Sequence, residues 1–194
     1  MNASLKMVRV TMLALATGMN AVLWTGLAVA DTYALDPMYS SCVLRVAYLS
    51  GFARGEFTRF FGTMEADASG NAKKLVVDLE ATSLSFNGEE LSATFKGPRM
   101  FDSKKFPVAR FVSREITSDK MVGELTLRGI TKEIGFEYAF HGISKDQWGR
   151  SKAAWSLKGV IPASDFGMEG SASVSSASGA QNIEVVFELE GVLQ

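Results

Sequence analysis

The sequence predicts a mainly β domain: a closed, up-and-down antiparallel barrel of about eight strands with one short helix. Three observations carry this prediction. Apolar residues recur at alternate positions in segment after segment, the period of a strand with one buried face. Only one stretch, between Asn87 and Pro98, changes to helical spacing. No internal repeat or interdomain linker interrupts the pattern. A two-sheet sandwich is the alternative architecture.

The clearest strand pair lies in GELTLRGITKEIGFEYAF, residues 123–140. Leu125 and Leu127 share a face with Met121 and Gly123, and Ile134, Phe136, Tyr138 and Phe140 share another. Alternation on both sides of a Gly-containing polar turn predicts an antiparallel hairpin. Glu124, Thr126, Glu133, Glu137 and Ala139 fall on its solvated face.

The elements before and after this hairpin follow in order. Tyr33 to Asp36 is a short extended piece turned by Pro37. Cys42, Leu44, Val46 and Tyr48 alternate with Val43, Arg45 and Ala47 in a half-buried strand. Gly51 and Gly55 are expected to bracket a loop, and Phe57, Phe60, Phe61 and Met64 to supply one further strand of open register. After a turn at Ser69-Gly70-Asn71, Leu75, Val77, Leu79 and Ala81 form an inner face. Leu91 and Phe95 lie four apart on one side of the predicted helix, with Glu89 and Glu90 in its first turn, where the helix dipole favours acids. Gly97-Pro98 ends it.

Met100-Phe101 and Phe106-Pro107 frame a charged turn, and Ala109, Phe111 and Ser113 begin the next strand. Beyond the hairpin come a polar loop from Gly142 to Arg150 and a strand with Trp155, Leu157, Gly159 and Ile161 on one face. Ser164 to Met168 leaves that strand. Gly170 to Ala180, rich in Gly, Ser and Ala, reads as a mobile loop. Ile183, Val185, Phe187 and Leu189 alternate in the last strand.

Residues 1–30 are expected to be a secretory signal peptide, leaving residues 31–194 as the domain. Lys6 and Arg9 precede an apolar run, and Ala28-Val29-Ala30 gives a small-x-small cleavage pattern before Asp31. The expected location is the periplasm, with no integral membrane span after cleavage. Loss of Lys6 and Arg9 takes the formal net charge of -1 to -3. A mildly acidic surface of mixed sign argues against nucleic-acid binding. Cys42 is the single cysteine, so no intramolecular disulfide forms and stability rests on packing.

Catalytic residue types are sparse. The one histidine, His141, has no second histidine at metal-ligand spacing and reads as a solvated loop residue. Asp165 is explained as a turn residue, and no serine sits in a nucleophile elbow. No acid, base and oxyanion site assembles, so no enzymatic reaction, cofactor or metal is expected. The inward aromatics say more: Tyr48, Phe57, Phe101, Phe111, Phe136, Tyr138, Trp155 and Phe187 would all point into one barrel. Composition leaves open whether they pack it solid or line a space for a guest. Ala81, Ala109, Gly123 and Gly159 on the same faces are expected to leave room. Each buried methylene of a guest would contribute about 0.8 kcal/mol.

Several motifs in order resemble the YceI-like family: Tyr33-x-x-Asp36-Pro37, Cys42 to Tyr48 followed by Gly55-x-Phe57, Met100-Phe101-Asp102 with Phe106-Pro107, GELTLRGITK, and Ser164 to Met168. The resemblance spans about residues 33 to 193. It implies an extended lipocalin-like barrel, secreted to the periplasm, that holds a polyisoprenoid or similar long apolar molecule. This chain has Tyr39, Tyr48, Thr94 and Arg128 where members of the family often carry histidine, so no metal or proton-transfer role transfers through those positions.

The expected function is therefore periplasmic binding of an isoprenoid, quinone-like or fatty-acyl lipid. The expected wall consists of Leu44, Val46 and Tyr48 with Phe57 and Phe111, then Leu125, Leu127, Phe136 and Tyr138, then Trp155 and Phe187. Leu91 and Phe95 would close one side, and Lys96 or Arg99 would meet a head group. The alternative is a side-chain-filled barrel that binds an envelope protein through its loops. The sequence leaves a homodimer open.

Overall fold

The computed structural model describes residues 30–48, 51–169 and 182–194. The proposed leader before residue 30 and the Gly170 to Ala180 segment lie outside them. Among the described residues the alternation in the sequence becomes eleven antiparallel strands, two of them too short or too glycine-rich to stand out by period alone. They are β1 (Asp31–Leu35), β2 (Ser41–Tyr48), β3 (Gly51–Phe57), β4 (Phe60–Ala66), β5 (Ala72–Glu80), β6 (Leu84–Phe86), β7 (Val108–Ile116), β8 (Lys120–Leu127), β9 (Ile130–Lys145), β10 (Ser151–Pro162) and β11 (Asn182–Leu193). The one α-helix among the described residues, α1, spans Glu89–Lys96.

Eight strands close a ring in the order β1-β4-β5-β7-β8-β9-β10-β11, with β11 pairing back onto β1. The other three, β2, β3 and β6, continue outward from β11. Strand β11 makes this possible by serving two partners: Gly191 to Leu193 pair with β1, and Ile183 to Glu188 pair with β2. The chain crosses between them at the corner Asp36 to Ser40. Asp36 N–H donates to the Glu190 carbonyl at 2.8 Å, and Ser40 Oγ both donates to and accepts from the Glu190 backbone. Lys152, only 8% exposed, bridges the Glu190 and Asp36 carboxylates beneath the Tyr39 ring. The Glu190 contact, more than any other, raises the Lys152 pKa.

Three sequence expectations are corrected. Gly51 to Gly55 is not a loop but most of β3, paired with Leu44 to Tyr48 and, at Gly55, with β6. Gly55 suits it because a Cβ there would lie 2.5 Å from the Phe86 ring. The single strand expected across Phe57 to Met64 is two, broken at Thr58-Arg59, where the Ser83 carbonyl and hydroxyl take the backbone donors. Phe60 and Phe61 then point to opposite faces with no bulge at that pair, Phe60 buried and Phe61 60% exposed. Finally, Gly142 to Lys145 extends β9, so the loop there is confined to the turn before β10. His141 consequently sits on a strand, exposed, with Nε2 2.8 Å from Ser156 Oγ.

The β8–β9 hairpin forms as its sequence predicts. Leu127 faces Ile130 across a two-residue turn, Arg128-Gly129, with φ of 53° and 74°. Two successive positive φ values are the signature of the type I′ turn that matches strand twist.

Two acidic residues fix the ends of β4. Asp67 accepts from the backbone N–H of Ser69 and Asn71 and pairs with Lys73 at 3.0 Å. The Lys73 contact is the main cause of a carboxyl pKa lowered to about 2. Arg59 grips both Glu80 carboxylate oxygens through Nε and Nη2 at 2.6 and 2.7 Å, and with Thr82 it lowers that pKa to about 2 as well. A depressed folded-state pKa means stability present above the unfolded value, near 4, and lost as pH falls toward 2. We expect Asp67→Asn with Glu80→Gln to lower the urea midpoint at pH 7 but to match the parent at pH 2. Parallel midpoint profiles from pH 7 to 2 would show that neither carboxylate supports the fold.

Candidate functional site

The inner faces of the strands meet in one continuous apolar interior, which divides into three levels along the barrel. At one level Trp155 packs edge-on against Tyr33, with ring centroids 5.4 Å apart, and tilted against Phe140. Its indole N–H donates to the Gly70 carbonyl at 3.0 Å, and Tyr138 Oη accepts from the Ala72 N–H at 3.2 Å. Both polar tips are thus satisfied inside a solid plug. Burial is the main cause of the raised Tyr138 pKa.

Next comes an aromatic belt. Phe136 lies edge-on to Phe111 at 5.1 Å and to Phe187 at 5.8 Å. The belt accounts for a failed expectation about space. A Cβ at Gly123 would sit 2.6 Å from the Phe111 ring, and one at Gly159 would sit 2.7 Å from Phe136. The room left by those glycines is therefore filled by rings rather than kept for a guest.

Beyond the belt lies the cavity. Leu44, Phe57, Leu125, Leu127 and Phe187 line it, together with Cys42, Leu79, Phe101, Ala109, Ile161, Ile183 and Val185. Apart from the Cys42 thiol, whose pKa burial pushes well up, every lining side chain is hydrocarbon. Its volume is about 20 Å³, room for about one water-sized sphere. A chain-shaped guest therefore fits only when interior side chains or a covering segment move.

The expected wall residues sort across these levels. Leu44, Phe57, Leu125, Leu127 and Phe187 come together at the cavity. Phe111 and Phe136 form the belt, and Tyr138 and Trp155 belong to the plug. Val46 is fully buried in the same core. The side chain of Tyr48 lies outside the described residues. Leu91 packs partly against the core, and Phe95 is buried and stacked on Phe86 at 4.1 Å, so the helix covers β6 rather than entering the ring. The additional lining residues Cys42, Leu79, Ile161, Ile183 and Val185 carried the same period-two signal as their neighbours. What singles them out is depth along the strand, which alternation does not encode.

The two head-group candidates have different neighbours. Lys96 borders a groove of about 500 Å³ beside the end of α1, with Pro98, Asp102, Ser103 and Lys104. Arg99 lies 3.7 Å from the Glu169 carboxylate. A groove of about 590 Å³ crosses the outside of β9, β10 and β11, where Glu137, Lys158 and Glu188 surround small Ala139 and Ser156. Among the described residues, no group of three or more His, Cys, Asp or Glu side chains is placed to hold a metal ion. Among them, too, no helix is long and apolar enough to cross a membrane.

Among the described residues, an eight-stranded antiparallel ring around an apolar, aromatic interior, extended by three strands and flanked by one helix, forms a lipocalin-like barrel. Residues 33–191 match the YceI-like domain, and the chain belongs to that family. It is 33% identical to a UPF0312 protein of Pseudomonas putida over 97% of this chain and 100% of that one. The crystal structure of a Campylobacter jejuni YceI protein is similar with a TM-score of 0.60 at 28% identity, covering 72% of this chain and 84% of that one. A polyisoprenoid binding domain from Saccharophagus degradans shares the fold at 14% identity, with a TM-score of 0.61 over 82% and 98% of the two chains.

Proposed function

We propose that this protein is a periplasmic carrier or store for a long apolar ligand of the isoprenoid, quinone-like or fatty-acyl class, and that it binds without catalysis. The observation that carries the reading is the cavity's lining: twelve side chains from seven strands and one loop converge with no polar side chain beyond a buried thiol. A hydrocarbon guest needs nothing else, because its affinity grows with buried methylenes. The description of the Saccharophagus degradans domain as polyisoprenoid-binding points the same way. Export through residues 1–30 follows from the leader pattern of the sequence.

The test is chemical. Protein purified from its own periplasm is extracted with organic solvent and analysed by mass spectrometry, and a dansyl-labelled farnesol is titrated into the delipidated protein. A co-purifying prenyl or acyl chain with saturable probe binding is the expected result. Recovery of no apolar molecule, with no probe binding, sinks the proposal.

The small volume of the cavity favours a second reading, in which the barrel is packed and acts through its surface. The β9–β10 turn suits that role, with Trp148 70% exposed and Ile143 44% exposed at one end of the hairpin. Cross-linking of a partner through position 148 in the periplasm, combined with an empty organic extract, would select this reading over the first.

A further inference from the structure

We propose that the loop between α1 and β7 is the lid of the apolar cavity and that Arg128 is its latch, a positioning residue that holds Phe101 in the cavity mouth. The proposal rests on the binding reading above, since a lid has meaning only if something passes beneath it. It identifies where a guest enters.

Of the residues lining the cavity, Phe101 alone is not on a strand. The others are fixed by ladder hydrogen bonds on β2, β3, β5, β7, β8, β10 and β11, so displacing any of them means opening the sheet. Phe101 sits in the stretch from Gly97 to Pro107, buried against Phe57 with ring centroids 5.9 Å apart. It is the lining side chain that can leave at least cost to the barrel.

The loop is built as a unit with the helix. Phe101 N–H donates to the Phe95 carbonyl at 2.9 Å, Asp102 N–H to Gly97 at 2.8 Å, and Ser103 N–H to Lys96 at 3.0 Å. Phe106 N–H returns to Asp102 at 2.9 Å. Its polar attachments to the barrel include two at the cavity mouth. Arg128 Nη1 donates to the carbonyls of Pro98 (3.0 Å) and Met100, and Glu169 N–H donates to the Arg99 carbonyl at 2.8 Å. Both hold the three residues just before Phe101, one from the tip of the β8–β9 hairpin and one from beyond β10.

The backbone at Arg128 is the independent sign that its side chain is wanted. The first position of a type I′ turn needs positive φ, which Asn, Asp or Gly adopts at little cost and Arg does not. An arginine at φ 53° serves the turn poorly. Its guanidinium serves the two carbonyls well, because Nη1 carries two N–H donors. Leu127, immediately before it, lines the cavity, so latch and wall share one hairpin.

Arg128→Asn separates the roles, because Asn-Gly is a favoured I′ sequence while the latch is lost. Cys42, fully buried in the cavity lining, reports opening without any guest. We expect native-state alkylation of Cys42 by N-ethylmaleimide to be at least tenfold faster in Arg128→Asn, at an unchanged or higher Tm, and intermediate in Arg128→Lys. A second variant, Arg99→Cys with Glu169→Cys, ties the loop to the barrel when oxidised. Its uptake of dansyl-labelled farnesol should slow at least tenfold and recover on reduction. Alkylation no faster in a folded Arg128→Asn protein overturns the latch, whatever binds. Unchanged uptake by the oxidised pair overturns the entry route. Faster alkylation in a protein that takes up no prenyl probe keeps Arg128 as the latch of the loop but refutes the binding reading, and with it the loop's role as an entry.

Discussion

Trp155→Ala is expected to lower the unfolding free energy by about 3–5 kcal/mol, the range for removing a large aromatic side chain from a rigid core. The residue is fully buried on β10, between Phe140 of β9 and Leu189 of β11. Its neighbours cannot collapse into the space it leaves. Tyr33 is held by β1, which closes the ring, and Gly191 already approaches so closely that a Cβ there would lie 3.2 Å from the indole. Truncation also strands the Gly70 carbonyl, which now accepts the indole N–H, and an unsatisfied buried acceptor adds about 1–3 kcal/mol. Trp155→Phe keeps most of the contacts and should cost less. Urea unfolding at pH 7 reads both, and a loss below about 1 kcal/mol for the alanine variant would mean the plug is not packed.

The same substitution separates stability from binding. Trp155 and Ile161 lie on one strand six residues apart, about 20 Å along it, and only Ile161 lines the cavity. Where the alanine variant stays folded, its affinity for a prenyl probe should match the parent. Alternation along β10 in the sequence puts the two residues on one face and treats them as equivalent. It cannot say that one serves the floor and the other the wall.

That distinction marks what the sequence could and could not tell. The β8–β9 hairpin, helix α1 and the inward faces of β2, β5, β10 and β11 were legible, because burial on one side imposes a period of two or of 3.6 and the residues obey it. Strand β3 was not, since Gly51 and Gly55 carry the signal of a loop, and the need for glycine at Gly55 appears only when Phe86 is seen against it. Closure of the ring was legible only as an inference from strand number. The doubling of β11 between β1 and β2 depends on a corner held by Lys152 and Glu190, 38 residues apart in the chain. Arg128 read as a departure from histidine. Its contacts to Pro98 and Met100 depend on where two distant loops meet, and no local pattern records that.

Leu44→Asp should make the protein's stability depend on pH in the sense opposite to its natural carboxylates. Leu44 is 2% exposed on β2, opposite Val185 and Gly55, in a lining of hydrocarbon. A carboxyl placed there loses water and gains no partner, so burial raises its folded-state pKa above the unfolded value near 3.9. Raised, not depressed, the pKa leaves stability undiminished by ionisation below about pH 4 and erodes it as pH climbs through the folded value. A tenfold change in acidity corresponds to about 1.4 kcal/mol, and full burial can raise a carboxyl pKa by as much as about 3–5. The variant should therefore hold its fold near pH 4.5 and weaken by several kcal/mol toward pH 8. Ala139→Asp, on the exposed outer face of β9, should show no such slope. Binding should follow the same proton: a dansyl-labelled farnesol held at pH 4.5 would be released as the wall acquires charge. A variant equally stable at both pH values would place Leu44 in contact with water, and the cavity would then be no dry hydrocarbon site.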